Sequence, residues 1–111
     1  MIDLVHLEKY VSGDAALRDE ILSIFAEQAA MLNNQFSVSS SDEDWRNVAH
    51  ALKGALRGVG SWALGDLCEE AETMIGNIAG KSERRSAILI SIRQKLAAAL
   101  AETNRLTSRA A

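Results

Sequence analysis

The chain has no proline in its 111 residues and a single cysteine, and its aromatic residues are two tryptophans, two phenylalanines and one tyrosine. Without proline, nothing in the sequence forces a helix to break. The lone Cys68 cannot close an internal disulfide, so no covalent staple holds the fold and a reducing compartment is expected. No apolar run approaches the roughly 20 residues that a membrane span needs. Met1 to Tyr10 carries mixed charge and lacks the order of a signal peptide, so a cytoplasmic protein is the expectation. Charge of one sign is scarce as well: 12 lysines and arginines face 15 acidic residues, for a net charge of −3. That balance excludes a nucleic-acid binder that works by neutralising phosphates. Two histidines and one cysteine, far apart in sequence, argue against a metal centre. Asn47 also stands three residues before His50, where carboxylate-bridged bundles place glutamate. No cofactor of its own is expected.

What remains is hydrophobic content of 48%, rich in alanine and leucine and enough to exclude disorder. The length suits one domain over residues 1–111. Asp3 to Val11 reads as a short helix with Leu4, Leu7 and Val11 on one side. Gly13 can end it and Asp14 can cap the next. Leu17, Ile21, Phe25, Ala29, Leu32 and Phe36 then recur at spacings of three and four, the stripe of a second helix. Arg18, Glu20, Glu27 and Gln35 fall largely on its outer side. Ser37 to Asp44 is a polar connection whose acidic end suits a helix N-terminus. A third helix is expected from about Asp44 to Val59, with Gly60 as the left-handed residue after its end and Ser61 as the next cap. Leu64, Leu67, Cys68, Ala71, Ile75 and Ile78 mark a fourth helix, stopped by Gly80. Ser82 opens the last, whose stripe is Ile88, Leu89, Ile92, Leu96, Ala99 and Leu100; residues 105–111 are expected to fray. Four stripes joined by short connections predict an all-α, antiparallel up-down four-helix bundle with a short additional N-terminal helix. A monomer is the default for such a bundle.

The informative stretch is WRNVAHALKGALRGVGSWALGDLCEEAE, from Trp45 to Glu72. At about 100° per residue, Trp45, Val48, Leu52, Ala55, Leu56 and Val59 share one arc that should face inward. His50 lies nearly opposite. Arg46, Lys53 and Arg57, at spacings of four, three and seven, are its surface neighbours. Gly54 flanks it on the other side. Glycine inside a helix costs about 1 kcal/mol relative to alanine, and close approach by another surface would account for it. Cys68 falls on an apolar face and reads as an inert buried thiol. Trp45 and Trp62 read as core or core-edge residues and His6 as an ordinary helix histidine. Glu69, Glu70 and Glu72 read as a solvated face, with Glu72 available for a salt bridge to a neighbouring helix.

The string Ala49-His50-x-Leu52-Lys53-Gly54, followed by Gly60, Leu64, Cys68 and Glu72 at fixed offsets, resembles the histidine-containing phosphotransfer (HPt) domain of bacterial phosphorelays. Two departures are visible. Ala55, Leu56 and Arg57 stand where small residues are usual, and Ser61 stands where alanine is common. The resemblance implies a phosphocarrier and not an enzyme: His50 would accept a phosphoryl group on the ring nitrogen farther from the backbone and pass it on in a multistep His–Asp relay. The partners implied are receiver domains of response regulators, of hybrid histidine kinases, or of both. Mg²⁺ and the acidic catalytic cluster would come from that partner. Lys53 would stabilise the phosphoryl group, and Arg46, Ala49, Gly54 and Arg57 would contact the partner. The Met1 start reads as that of a stand-alone protein. A general-base enzyme would need a second polar catalytic group and a pocket, which an outward histidine on a small bundle does not offer. The alternative is a binding-only adaptor of the same fold that docks a receiver or kinase without carrying phosphate.

Overall fold

Asp3, Asp14 and Ser41 each stand just before a helix and turn a side-chain oxygen back onto the amide of its third residue, the ordinary solution for unpaired N–H groups at a helix start. The amides of His6, Leu17 and Asp44 donate to Asp3 Oδ1, Asp14 Oδ1 and Ser41 Oγ at 3.1, 3.0 and 3.1 Å. The helices that follow are α1 (Leu4–Val11), α2 (Ala15–Gln35) and α3 (Asp42–Gly58). Two more, α4 (Trp62–Glu72) and α5 (Lys81–Ser108), complete the computed structural model, which describes residues 2–108. Among the described residues there is no strand. α3 starts two residues earlier than its periodicity indicates, because Ser41 and not a later residue makes the cap. Asp42, Glu43 and Asp44 then fill its first turn, where negative charge meets the positive end of the helix dipole.

Each long helix packs on the next, and α5 returns to α2, closing a ring of four with α1 laid against α2. Facing residues run in opposite directions: Arg57 meets Asp66 while Lys53 meets Glu72 across α3 and α4. Arg93 meets Asn33 across α5 and α2. The result is the expected up-down bundle, 48 × 22 × 18 Å. Its long axis matches the roughly 42 Å of a 28-residue α5 at 1.5 Å per residue. The core holds Leu22, Phe25, Ala29 and Leu32 of α2, Trp45, Ala49, Leu52 and Leu56 of α3, Leu64, Cys68 and Ala71 of α4, and Ile88, Leu89, Ile92 and Leu96 of α5.

The turn from α3 to α4 is tightly specified. Ser61 N–H donates to Leu56 O at 2.9 Å and Gly60 N–H to Arg57 O at 3.0 Å, the double bond of a Schellman end with a left-handed residue at Gly60 (φ 76°). A Cβ at Gly60 would also stand 2.4 Å from Asp3 Cβ. α1 is pinned there, with Asp3 N–H on Val59 O at 3.2 Å and Trp62 Nε1 donating to Asp3 Oδ2 at 3.2 Å. The amide of His6 and then Trp62 hold the Asp3 carboxyl below its ordinary pKa.

Several expectations are corrected. α4 ends at Glu72 and does not run on to Ile78. Gly76 needs a positive φ of 78°, and its amide donates to Asp42 Oδ2 at 2.8 Å, so tertiary contacts pull the chain out of the helix. α5 begins at Lys81, with Arg84 N–H on Gly80 O, and not at Ser82. Ser61 occupies the cap position of α4 but its side chain caps nothing; Oγ is buried without a partner. Leu4 and Leu17 are exposed, and Leu22, outside the expected stripe, is buried in their place. Trp62 is also largely exposed, edge-on to His6 at 4.8 Å. Of the segment expected to fray, residues 105–108 form the end of α5 and residues 109–111 lie outside the described residues.

One basic residue was hidden in the last stripe. Arg85 is 2% exposed. Its guanidinium lies 4.6 Å from the Trp45 ring centre and donates to the carbonyls of Met74, Ser40 and Val38 and to Asp42 Oδ1. Lys81 meets the same Asp42 oxygen at 2.9 Å. The Gly76 amide, then Lys81, lowers the Asp42 pKa from its ordinary value.

Candidate functional site

The middle of α3 carries the site, and helix phase decides who can belong to it. Trp45, Ala49, Leu52, Leu56 and Val59 are buried, which rotates the inward arc slightly from the expected one. Ala49 is therefore core, with no surface for a partner, and is removed from the expected docking set. His50, one residue on, is turned out of the core, with its side chain 69% exposed. Gly54 is exposed too, and a Cβ there would meet no atom within 4 Å. Nothing in the chain's own packing requires a glycine at this point.

The Nδ1 atom of His50 faces α4. It lies 3.4 Å from Glu72 Oε1, and the same oxygen is 2.7 Å from Lys53 Nζ. One carboxylate oxygen thus serves both the imidazole and the lysine. The carboxylate stands on the Nδ1 side of the ring at ion-pair distance, without a hydrogen bond to it. Lys53 is not the solvated surface lysine its position suggests: its side chain is only 14% exposed, and that of Glu72 19%.

Arg57, one turn beyond Lys53, folds back over α4. Its Nη2 donates to Asp66 Oδ1 at 3.2 Å and to Glu69 Oε2 at 3.0 Å. These carboxylates, Asp66 first, push the guanidinium pKa up from its ordinary value. Gly65 leaves room for the stem: a Cβ there would stand 3.0 Å from Arg57 Cγ. Arg46 is exposed and enters no ion pair or side-chain hydrogen bond with the described residues. The expected free basic patch is therefore corrected. Of the three cations around His50, two are already matched by α4 carboxylates.

Glu72 was legible as a motif position and as a candidate salt-bridge former. That it touches both His50 and Lys53 was not. Asp66 and Glu69, three apart on α4, were the available signal for the Arg57 clamp. Cys68 lies beneath this face, fully buried. Burial, then the charge of Glu72, pushes its thiol up to about 12, so no thiolate forms near neutral pH and a nucleophilic role is excluded. Among the described residues no group of three or more His, Cys, Asp or Glu side chains could hold a metal ion, and no helix is long and apolar enough to cross a membrane.

This arrangement presents an exposed imidazole whose Nδ1 lies 3.4 Å from a carboxylate oxygen, beside a lysine amine paired with the same oxygen. It fits a group that receives and gives back a phosphoryl moiety. Comparison with known proteins agrees: the family model described as Hpt domain matches residues 17–104, from α2 through most of α5. No match was found among curated proteins or among solved structures. Hpt domains serve histidine phosphotransfer in phosphorelays, act as phosphocarriers and not as catalysts, and interact with receiver domains or kinases. With the family model covering most of its length and an outward histidine at the centre of the matched region, the chain belongs to the Hpt domain family.

Proposed function

We propose that this chain carries a phosphoryl group on His50 Nε2, taking it from the phosphoaspartate of one receiver domain and passing it to another in a multistep His–Asp relay. The observation that carries the reading is the exposed His50 ring with its Nδ1 turned to Glu72. In the forward step the Nε2 lone pair forms the N–P bond. The acyl P–O bond breaks, and its electron pair leaves with the aspartate carboxylate. The Nδ1 proton stays opposite Glu72, whose negative charge offsets the positive charge that grows on the ring. Return transfer is the same step reversed. A neutral imidazole needs no general base for this attack near neutral pH.

Lys53 takes a second role once the phosphoryl group is in place. Its amine moves from Glu72 to a phosphoryl oxygen, trading one ion pair for another. Glu72 keeps its contact with Nδ1 throughout. Gly54 leaves clearance for the partner's loops one turn from His50, and Arg46 is the cation free to meet a partner directly. The carrier supplies no metal; the divalent ion that acts on the aspartyl phosphate belongs to the receiver. In phosphoryl transfer, positioning and charge neutralisation provide most of the rate, and the share assigned to this chain is positioning.

The test is label transfer from a phosphorylated receiver domain. Label should appear on the chain in an acid-labile linkage, and His50→Gln should abolish it without changing the melting temperature. Label that persists in His50→Gln would overturn the assignment. Binding of the receiver without any label on the wild-type chain would turn the reading to the adaptor.

A further inference from the structure

Arg57 lies on the His50 face of α3, seven residues along, where its charge could meet an incoming partner. Instead it is held from two sides. Nη2 donates to Asp66 at 3.2 Å and to Glu69 at 3.0 Å, carboxylates three residues apart on one face of α4. Its stem crosses Gly65, where any side chain would crowd it. Both carboxylates are well exposed, with side chains 72% and 57% accessible. Exposed ion pairs of this kind contribute little to folding, and a glycine in the middle of α4 weakens that helix. Stability does not explain why three residues of α4 are arranged to receive one arginine. The consequence that is large is electrostatic. The pairs turn the flank of His50 that faces α4 from a cationic surface into a slightly anionic one, one guanidinium set against two carboxylates, leaving Arg46 as the unmatched cation there.

Resting on the reading of His50 as the phosphoryl carrier, we propose that Asp66 and Glu69 are specificity determinants. They withhold Arg57 from partners and so discriminate against receiver domains that dock through an acidic rim. Long-range attraction between a free basic flank and an acidic rim would raise association rates for every such partner alike. With Arg57 neutralised in place, that unselective attraction is lost, and contacts at short range decide which receiver binds. Like-charge repulsion between Asp66, Glu69 and an acidic rim adds a penalty against the wrong partner.

The experiment compares the wild type, Asp66→Asn with Glu69→Gln, and the same pair combined with Arg57→Gln. Binding of unphosphorylated receiver domains, one acidic-rimmed and one neutral-rimmed, is titrated at about 20 and about 200 mM salt, a range over which the screening length falls well below the size of the interface. The double variant should bind the acidic-rimmed receiver on the order of 3–10-fold more tightly at low salt, with a steeper salt dependence. The neutral-rimmed receiver should show little change. Adding Arg57→Gln should take back most of that gain and leave only the smaller share due to the two lost negative charges. If the double variant binds as the wild type does, the clamp has no selective role. If the gain survives loss of Arg57 in full, it comes from removed negative charge alone and the proposal falls. Label transfer to His50 is followed in the same samples. Absence of label with an intact binding difference would remove the phosphocarrier reading and leave the clamp standing.

Discussion

Lys53 and Arg85 are both basic side chains that meet a carboxylate of another helix from within the fold, yet they are held in opposite ways. Arg85 spreads its guanidinium over three backbone carbonyls, Asp42 and the face of Trp45. Four of its five N–H donors are taken up by the bundle itself. Lys53 meets a single Glu72 oxygen at 2.7 Å, and that oxygen also faces an exposed histidine. The planar fork of arginine suits a fixed, many-partnered seat, while a flexible ammonium can exchange one acceptor for another. The same pairing of charges therefore builds a lock of many bonds at one end of the bundle and a single-acceptor ion pair beside His50.

The largest effect expected from this contrast is at Arg85. Arg85→Ala removes one of the three partners of Asp42, leaves three carbonyls without their donor and opens a void beside Trp45. Each covered carbonyl left without a donor costs about 1–3 kcal/mol, and chemical denaturation should show a loss of about 3 kcal/mol or more. Label transfer per folded molecule should stay the same, because the cluster lies away from His50. A loss below about 1 kcal/mol would mean that the lock is a surface pair after all. The partner carboxylate gives a second handle. The Asp42 pKa is lowered in the fold, chiefly by the Gly76 amide and then by Lys81. A group with a depressed folded pKa supports stability above its unfolded pKa and loses that support as pH falls through the folded value. The stability lost on acidification below the ordinary carboxylate range should therefore shrink in Asp42→Asn, measured by denaturation from pH 7 down to about pH 3.

At Lys53 the effect should divide between stability and transfer. Lys53→Ala leaves Glu72, which is mostly covered, with only the histidine as neighbour. A cost of about 1–2 kcal/mol is expected for the stranded carboxylate, more than a plain surface lysine would give. Transfer to His50, or the lifetime of the phosphohistidine, should fall further than this stability change explains. Unchanged transfer with unchanged lifetime would remove Lys53 from the site and collapse its distinction from Arg85.

A third group is buried and partnered by nothing. Ser61 Oγ, at the α3–α4 turn, has no hydrogen bond. Removing an unsatisfied buried hydroxyl recovers its desolvation cost, of order 1 kcal/mol. Ser61→Ala should raise the melting temperature by a few degrees. A decrease would show that the hydroxyl has a partner in solution, such as a trapped water.

How much of this was legible depends on which surface a residue needs in order to be understood. The stripes of α2, α3 and α5 follow from periodicity within one helix, and so did the outward aspect of His50. Arg85 falls in phase with Ile88, Leu89 and Ile92, one turn ahead of them, but a hydrophobic pattern discards a charged residue at such a position. Its burial follows from carbonyls supplied by two separate loops, 36–41 and 73–80. The partners of Lys53 and Arg57 stand on α4, whose rotation relative to α3 is set by packing and is written in neither helix alone. Ile75 and Ile78 continued the α4 rhythm because they still pack against the core as half-buried turn residues. Gly76, with its positive φ, was the mark of the break. Ala49 was carried into the docking set by the motif, although helix phase places it on the core side.

The smallest effect on stability should come at Gly54, and it sharpens the contrast between fixed and open surfaces most directly. Gly60 and Gly54 sit six residues apart and are glycine for different reasons. At Gly60 a side chain would collide with Asp3 and strain a left-handed backbone, so the fold itself demands the residue. At Gly54 a Cβ meets nothing within 4 Å, and the helix would gain up to about 1 kcal/mol from alanine. The bundle alone thus favours a substitution that this sequence does not have. If the space over Gly54 is reserved for a partner, Gly54→Ala should melt higher while a bulkier Gly54→Gln slows label transfer and weakens receiver binding, both measured against an unaltered His50. Equal transfer in all three proteins would show that the surface beside the histidine is open but unused, and that docking leaves this turn of α3 untouched.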